Sequence, residues 1–552
     1  MSDPLAESGP TAPQEADLVV VGAGAAGYAA AITARRRGLS VLLLEKQAHI
    51  GGTTGRSGTW IWAPNHRLMR EAGMSDPKDD ALRYLARLSF PDLYEPASPH
   101  LGIDRADFAM LEAFYDYASQ ALEELTEAGA LDPVMRSDAP DYFADLPEDK
   151  APYGRVVVSR GRMRPDQLTG AEWVQDLHDT AVRLGVDIRV NHRVNDVVGD
   201  AITGVTGVVG EADGVPFLVR SRKGVVFATG GFTHAPDLMH DFMPSPVRFG
   251  GASLGSEGDF LRIGQRLGTR MRNLGAAWLA PIPLEPVLRD PTAFTTNIFA
   301  LRGDSMILVN KYGERTVNEK LPYHELGLSM LRWDPAKAEF PDVRLFMVFD
   351  RGTREFFADG TSGNPVPPAG APDGDLVSGQ TIPELAAALD ARLRTIDPAG
   401  RGGVMLSRDF ADNLAATIAR FSSAAATGID DQFGRGSSPI ELFRNGPARP
   451  GNDRNPAMFP FSSEGPYYAL ILAPGTLDTK GGPAIDAHGR VLDYMSRPIP
   501  GLYAAGNCAG FPSANAYWAG GATVGLAVTF GYLAARHAAG DSAAAALGTN
   551  QE

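Results

Sequence analysis

The chain has 552 residues, ten histidines and one cysteine, with 44% hydrophobic and 21% charged residues, an ordinary globular composition long enough for two domains. Its formal charge of −15 argues against a nucleic-acid or acidic-surface partner, although a local Arg can override that global field for a small anion. The single Cys508 excludes an intrachain disulfide, an iron–sulfur cluster and a cysteine zinc site; it reads as a small buried residue, and the histidines show no metal spacing.

Residues 1–15 are polar and Pro-containing and read as a disordered tail rather than a signal peptide. No apolar run is long enough for a membrane span, because the longest, Leu18 to Ala34, is interrupted by three glycines, so a cytoplasmic protein is expected. From Asp17 the pattern is strand (to Val21), glycine turn (Gly22-Ala23-Gly24-Ala25-Ala26-Gly27), helix (Tyr28 to Arg37) and a second strand (Leu39 to Leu44) ending at Glu45. Each part has a job in holding a dinucleotide. The glycines let backbone approach a pyrophosphate, the helix start offers N–H groups to it, and the acid accepts from ribose hydroxyls. The alternative is a tight strand–helix turn without a ligand.

Further along, Val225 to Gly231 reads as a strand entering a second glycine turn, and Gly501 to Asn507 as a late strand and turn. Pro-rich stretches at 280–286 and 445–451 mark the edges of an inserted segment, and residues 364–374 are too rich in Pro and Gly for regular structure. Residues 411–428 carry helical periodicity, and residues 522–538 form a last helix rich in small side chains.

Glu45 to Gly58, with Gly51-Gly52-Thr53-Thr54, resembles the FAD-binding end of the fumarate reductase and 3-ketosteroid dehydrogenase flavoproteins, and the strands ending at Gly231 and Asn507 follow in the same order. The resemblance spans about residues 15–540. It implies an α/β fold: a Rossmann-like, glutathione-reductase-like FAD-binding domain, discontinuous over 16–280 and 455–540, with an inserted α+β catalytic or cap domain at 281–454 and a tail at 541–552. Its implied cofactor set is Gly22, Gly24, Ala25, Ala26, Gly27, Glu45, Lys46, Gly52, Thr53, Thr54, Ser57, Gly58, Val194, Thr229, Gly230, Gly231, Gly506, Asn507, Ala522, Thr523 and Val524. No His stands at 51–58, where succinate-oxidising relatives attach their flavin, so noncovalent FAD is expected. A second GxGxxG is lacking, which leaves no separate NAD(P) site.

Two positions separate the activities within that superfamily. Fumarate-reductase relatives place a proton-donating Arg four residues after the Glu of the Asn-Glu signature; here Asn318-Glu319 is followed by Tyr323, as in the ketosteroid dehydrogenases. The His that holds a substrate carboxylate in the reductases is missing from Leu477 to Gly482. Ala516 to Gly525 resembles the dehydrogenase segment in which a Tyr hydroxyl and a Gly N–H grip a carbonyl, which implies Tyr517 and Gly521. The implied reaction is desaturation of a cyclic ketone (a 3-ketosteroid or smaller ring), with Tyr323 as base, Tyr142 supporting it and hydride passing to flavin N5. The partners are then an apolar ring ketone and an external electron acceptor such as a quinone, a dye or oxygen. Trp60, Trp62 and Trp518 are candidate pocket walls, with burial in the core the alternative for each. Trp518 replaces a Pro of many steroid-oxidising relatives and is expected to change the pocket volume. A flavin-dependent enone reductase and a flavoprotein electron-transfer subunit are the competing readings.

Overall fold

The computed structural model describes residues 14–162, 164, 168–244, 246–247, 249–290, 298–361, 363–368, 374–396 and 405–541. Residues 1–13 and 542–552 of the expected tails, and 369–373 of the Pro-rich loop, lie outside the described residues.

β1 (Gln14–Val21) starts inside the expected tail. It lies between β2 (Val41–Leu44) and the long strand Val215–Phe227, parallel to both, with Val19 opposite Leu42 on one side and Val225 on the other. Asp187–Arg189 extends this parallel sheet beyond β2, and Pro498–Ala504 extends it beyond Val215–Phe227. The hairpin His192–Asp200 and Gly204–Ala212, and Arg490–Leu492 beside Pro498–Ala504, add the antiparallel strands of an eight-stranded sheet. The near-continuous apolar reading of Leu18 to Val21 and Val41 to Leu44 follows from burial on both faces. On one face, α1 (Ala25–Arg36) packs on the terminal helix Ala522–Ala539, both presenting small side chains. Gly27 is what allows the turn: a Cβ there would lie 1.9 Å from the Gly22 carbonyl oxygen.

The second sheet is built on Tyr467–Thr479, antiparallel to Ala277–Pro283, Leu345–Asp350 and Val377–Gly379, with Met306–Val309 outside Leu345–Asp350. Its core separates from that of the first sheet. Sheet membership therefore runs past the edges expected at 281 and 454, since the strand Ala277–Pro283 crosses one and the central strand Tyr467–Thr479 lies wholly beyond the other. Pro281, from the first of the Pro-rich stretches, faces Pro474 in that ladder and so sits inside a strand.

Candidate active site

A cavity of about 600 Å³ runs from the first glycine turn, between the two sheets, to the start of the terminal helix. Its nucleotide half is mostly backbone. α1 starts at Ala25 with no side-chain cap on its first-turn N–H groups beyond the Thr54 hydroxyl, which accepts from the Ala25 N–H at 3.0 Å. The Glu45 carboxylate, at the end of β2, accepts from the Ala23 N–H at 2.9 Å and the Gln47 N–H at 2.9 Å and stands at the cavity edge. Gly22, Gly24, Ala25, Ala26, Gly52, Thr53, Thr54, Ser57, Gly58, Val194, Thr229, Gly230, Gly506, Asn507, Thr523 and Val524 also line the cavity. Gly27, Gly231 and Ala522 do not: Gly27 makes the turn, the Gly231 N–H is bound by Asp478, and Ala522 is buried at the helix start. Lys46 lines the cavity, but its ammonium is paired with Glu257 and Asp259.

Asp478 is a residue the sequence reading passed over, since that segment was read only for a missing His. Fully buried, its carboxylate accepts from the Gly231 N–H (3.0 Å), the Thr233 hydroxyl (2.8 Å), the Ser256 hydroxyl (3.2 Å) and Asn507 Nδ2 (3.2 Å). One side chain of the second sheet thus ties together both late glycine turns.

Three tyrosines from distant segments meet at the other half. The Tyr323 hydroxyl donates to the Tyr517 hydroxyl at 2.9 Å, and the Tyr142 ring stands edge-on to both, with centroids 5.6 Å and 5.4 Å away. After the Tyr323 hydroxyl, the Thr523 hydroxyl and the Gly521 N–H favour the ionised form of Tyr517, against its burial. Gly521 has φ +92°, and a Cβ there would strike the Trp60 carbonyl carbon at 2.7 Å, so only glycine brings this N–H to the site. Burial is the first cause that raises all three phenols above their ordinary range.

Each tyrosine is held by a buried network. Arg155 pairs with Asp76, Asp141 and Asp149, and Trp62 Nε1 donates to Asp141 at 2.7 Å, fixing the residue before Tyr142. Glu319 binds Arg315 and Arg435, which anchors the segment leading to Tyr323. Asn318 donates to Glu441 at 3.0 Å and so joins that segment to the short helix Pro439–Asn445. His324 accepts from the Leu279 N–H at 3.1 Å and donates to the Asn515 carbonyl at 2.6 Å, with its ring 5.9 Å from that of Tyr517.

Two pocket assignments need correction. Trp62 and Trp518 do not line the cavity; both are fully buried, tilted against one another and packed on Phe114, and Trp518 Nε1 donates to Ser89 at 3.0 Å. Their neighbours provide the hydrogen-bond partners that an indole N–H needs inside a core. Trp518 therefore does not set the pocket volume; it positions Tyr142, whose N–H donates to the Trp518 carbonyl at 3.3 Å. Trp60 does line the cavity, with Phe299, Ile440, Phe443 and Arg444, four residues the sequence reading missed. Ile440, Phe443 and Arg444 fall at i, i+3 and i+4 of one helix, the one signal that could have found them.

The model of the FAD binding domain family matches residues 17–524. The chain is 30% identical to the 4-oxocyclohexanecarboxylate 2-dehydrogenase of Sinomonas cyclohexanicum, over 96% of this chain and 93% of that protein. It is 30% identical to the 3-oxosteroid 1-dehydrogenase of Mycobacterium tuberculosis, over 95% of this chain and 98% of that protein. The fold is similar to that of a 3-ketosteroid Δ1-dehydrogenase from Sterolibacterium denitrificans, with TM-score 0.81 and 24% identity over 96% of this chain and 100% of the other.

Proposed function

The chain belongs to the FAD binding domain family, and from that premise we propose that it is an FAD-dependent dehydrogenase that introduces a carbon–carbon double bond beside the carbonyl of a cyclic ketone. Its nucleotide half suits FAD by its donor set: a glycine turn without bulk, first-turn N–H groups and one carboxylate at a strand end. Bound there, FAD supplies the hydride acceptor.

The observation that carries the proposal is the 2.9 Å contact between Tyr323 and Tyr517 beside the Gly521 N–H. In this reading the Tyr517 hydroxyl and the Gly521 N–H receive the ketone oxygen. Charge moving onto that oxygen as the α-proton leaves is met by two preset donors, each worth roughly 10²–10³ in rate by analogy with other oxyanion holes. Tyr323 takes the α-proton. Because burial raises its pKa, ionised Tyr323 is scarce at neutral pH and strongly basic once formed, and Tyr142 is the adjacent hydroxyl through which its proton can pass. The substrate loses one proton to Tyr323 and one hydride from the adjacent carbon. An external acceptor (quinone, dye or oxygen) then takes the electrons.

A reductase would run the same residues backwards. Anaerobic mixing of the holoenzyme with ketones from cyclohexanone to 4-androstene-3,17-dione decides the direction. Bleaching of the oxidised flavin by a ring ketone supports the proposal. A flavin that no ketone bleaches but that enones reoxidise after reduction would replace it with the reductase. No helix among the described residues is long and apolar enough to cross a membrane.

A further inference from the structure

Buried arginines in this molecule come with carboxylates. Arg155 meets three, Arg315 meets Glu319 and Asp430, and Arg435 meets Glu319. Arg136 and Arg302, which also line the cavity, pair with Asp138 and Asp359. Arg444 breaks the rule. It is 8% exposed and lines the cavity, and among the described residues no carboxylate pairs with it. Its guanidinium lies 4.8 Å from the ring centre of Tyr323 and 5.8 Å from that of Tyr142. The groups that most favour its charge are these tyrosines, while burial disfavours it.

A desolvated cation without a counter-ion is costly. Here the missing negative charge has two sources: a phenolate of the cluster, or an anionic group on whatever shares the cavity. The geometry favours the second. Arg444 lies over the π face of Tyr323, whereas the hydroxyl of Tyr323 is engaged at the ring edge with Tyr517. Apart from its contact with Tyr142, the planar fork of N–H donors is left for a partner of matching shape, and a carboxylate is that partner. The helix that carries Arg444 is also anchored, because Glu441 on it accepts from Asn318 and from the Gly436 N–H.

We infer that the ring ketone of this enzyme carries a carboxylate, which Arg444 grips while Tyr517 and Gly521 hold the carbonyl. The inference rests on the ketone reading of the same site and narrows it to anionic ring ketones. It also reconciles a chain of net charge −15 with an anionic substrate, since the recognition is local.

The test compares 4-oxocyclohexanecarboxylate with 4-methylcyclohexanone, two rings that differ mainly in charge, on the holoenzyme and on Arg444→Met and Arg444→Lys. The wild type is expected to prefer the carboxylate by roughly 10²-fold or more in kcat/KM. Arg444→Met should lose that preference, its kcat/KM falling much further on the carboxylate than on the neutral ketone, and Arg444→Lys should restore part of it, because an ammonium keeps the charge without the fork. A calorimetric titration of the oxidised holoenzyme with 4-hydroxybenzoate and with phenol gives a readout independent of turnover: Arg444→Met should weaken only the first. Equal use of both ketones by the wild type overturns the inference, as does an equal loss of both in Arg444→Met, which would assign the guanidinium to the tyrosine base. If neither ketone reduces the flavin, the ketone reading fails. The titration alone then decides the anion site, and equal weakening of phenol and 4-hydroxybenzoate overturns it.

Discussion

The two halves of the cavity are made of different material. At the nucleotide end, the lining is mostly backbone, with its longest contiguous part at Val21 to Gly58 and the Glu45 carboxylate at a strand end. At the tyrosine end it comes from side chains at 142, 323, 444 and 517, brought together from distant parts of the sequence by buried ion pairs and aromatic packing. A backbone site tolerates side-chain exchange but not a Cβ in the wrong place. A side-chain site tolerates neither loss of a hydroxyl nor loss of the network that aims it.

That contrast can be broken experimentally at either end. The largest effect is expected from Gly27→Ala, whose added carbon would sit 1.9 Å from the Gly22 carbonyl oxygen. Purified protein should contain no FAD by absorbance at 450 nm, and stoichiometric flavin in this variant would show that the turn does not govern cofactor binding. Tyr517→Phe should do the reverse: full FAD content, with flavin reduction by ketone slowed roughly 10²–10³-fold through loss of one carbonyl donor. An unchanged rate would place the carbonyl elsewhere.

A smaller effect sharpens the contrast through pH. Burial, then Lys480, pushes His324 down to about 3, against an ordinary value of 6.5. The folded state therefore keeps His324 neutral while the unfolded chain takes up a proton. Stability from this group is complete above pH 6.5 and falls as pH drops from there toward 3, at up to about 1.4 kcal/mol per pH unit. Urea denaturation of the holoenzyme between pH 7.5 and 4.5 should show the midpoint falling, and a midpoint that rises on acidification would contradict the assignment.

The same contrast explains what could be read from sequence. The first glycine turn, its helix and Glu45 were legible because they are contiguous and their chemistry is backbone chemistry, which glycines and a terminal acid spell out in order. Tyr323 and Tyr517 were reachable only through resemblance, because nothing local marks a tyrosine as one of a cluster. Trp62 and Trp518 were misplaced because composition does not say which face of a segment turns to the core; their N–H partners, Asp141 and Ser89, lie 79 and 429 residues away. Arg444 was invisible for a further reason. Its meaning lies in a carboxylate it lacks, and only a folded environment shows that.

The most direct test of the central claim is the anaerobic half-reaction of Tyr323→Phe. This variant should bind FAD as the wild type does, and its flavin should stay oxidised when mixed with a ring ketone that bleaches the wild-type flavin, a loss of roughly 10²–10⁴-fold expected for removing a positioned base. Bleaching at the wild-type rate would remove Tyr323 from the mechanism and with it the account of the tyrosine cluster.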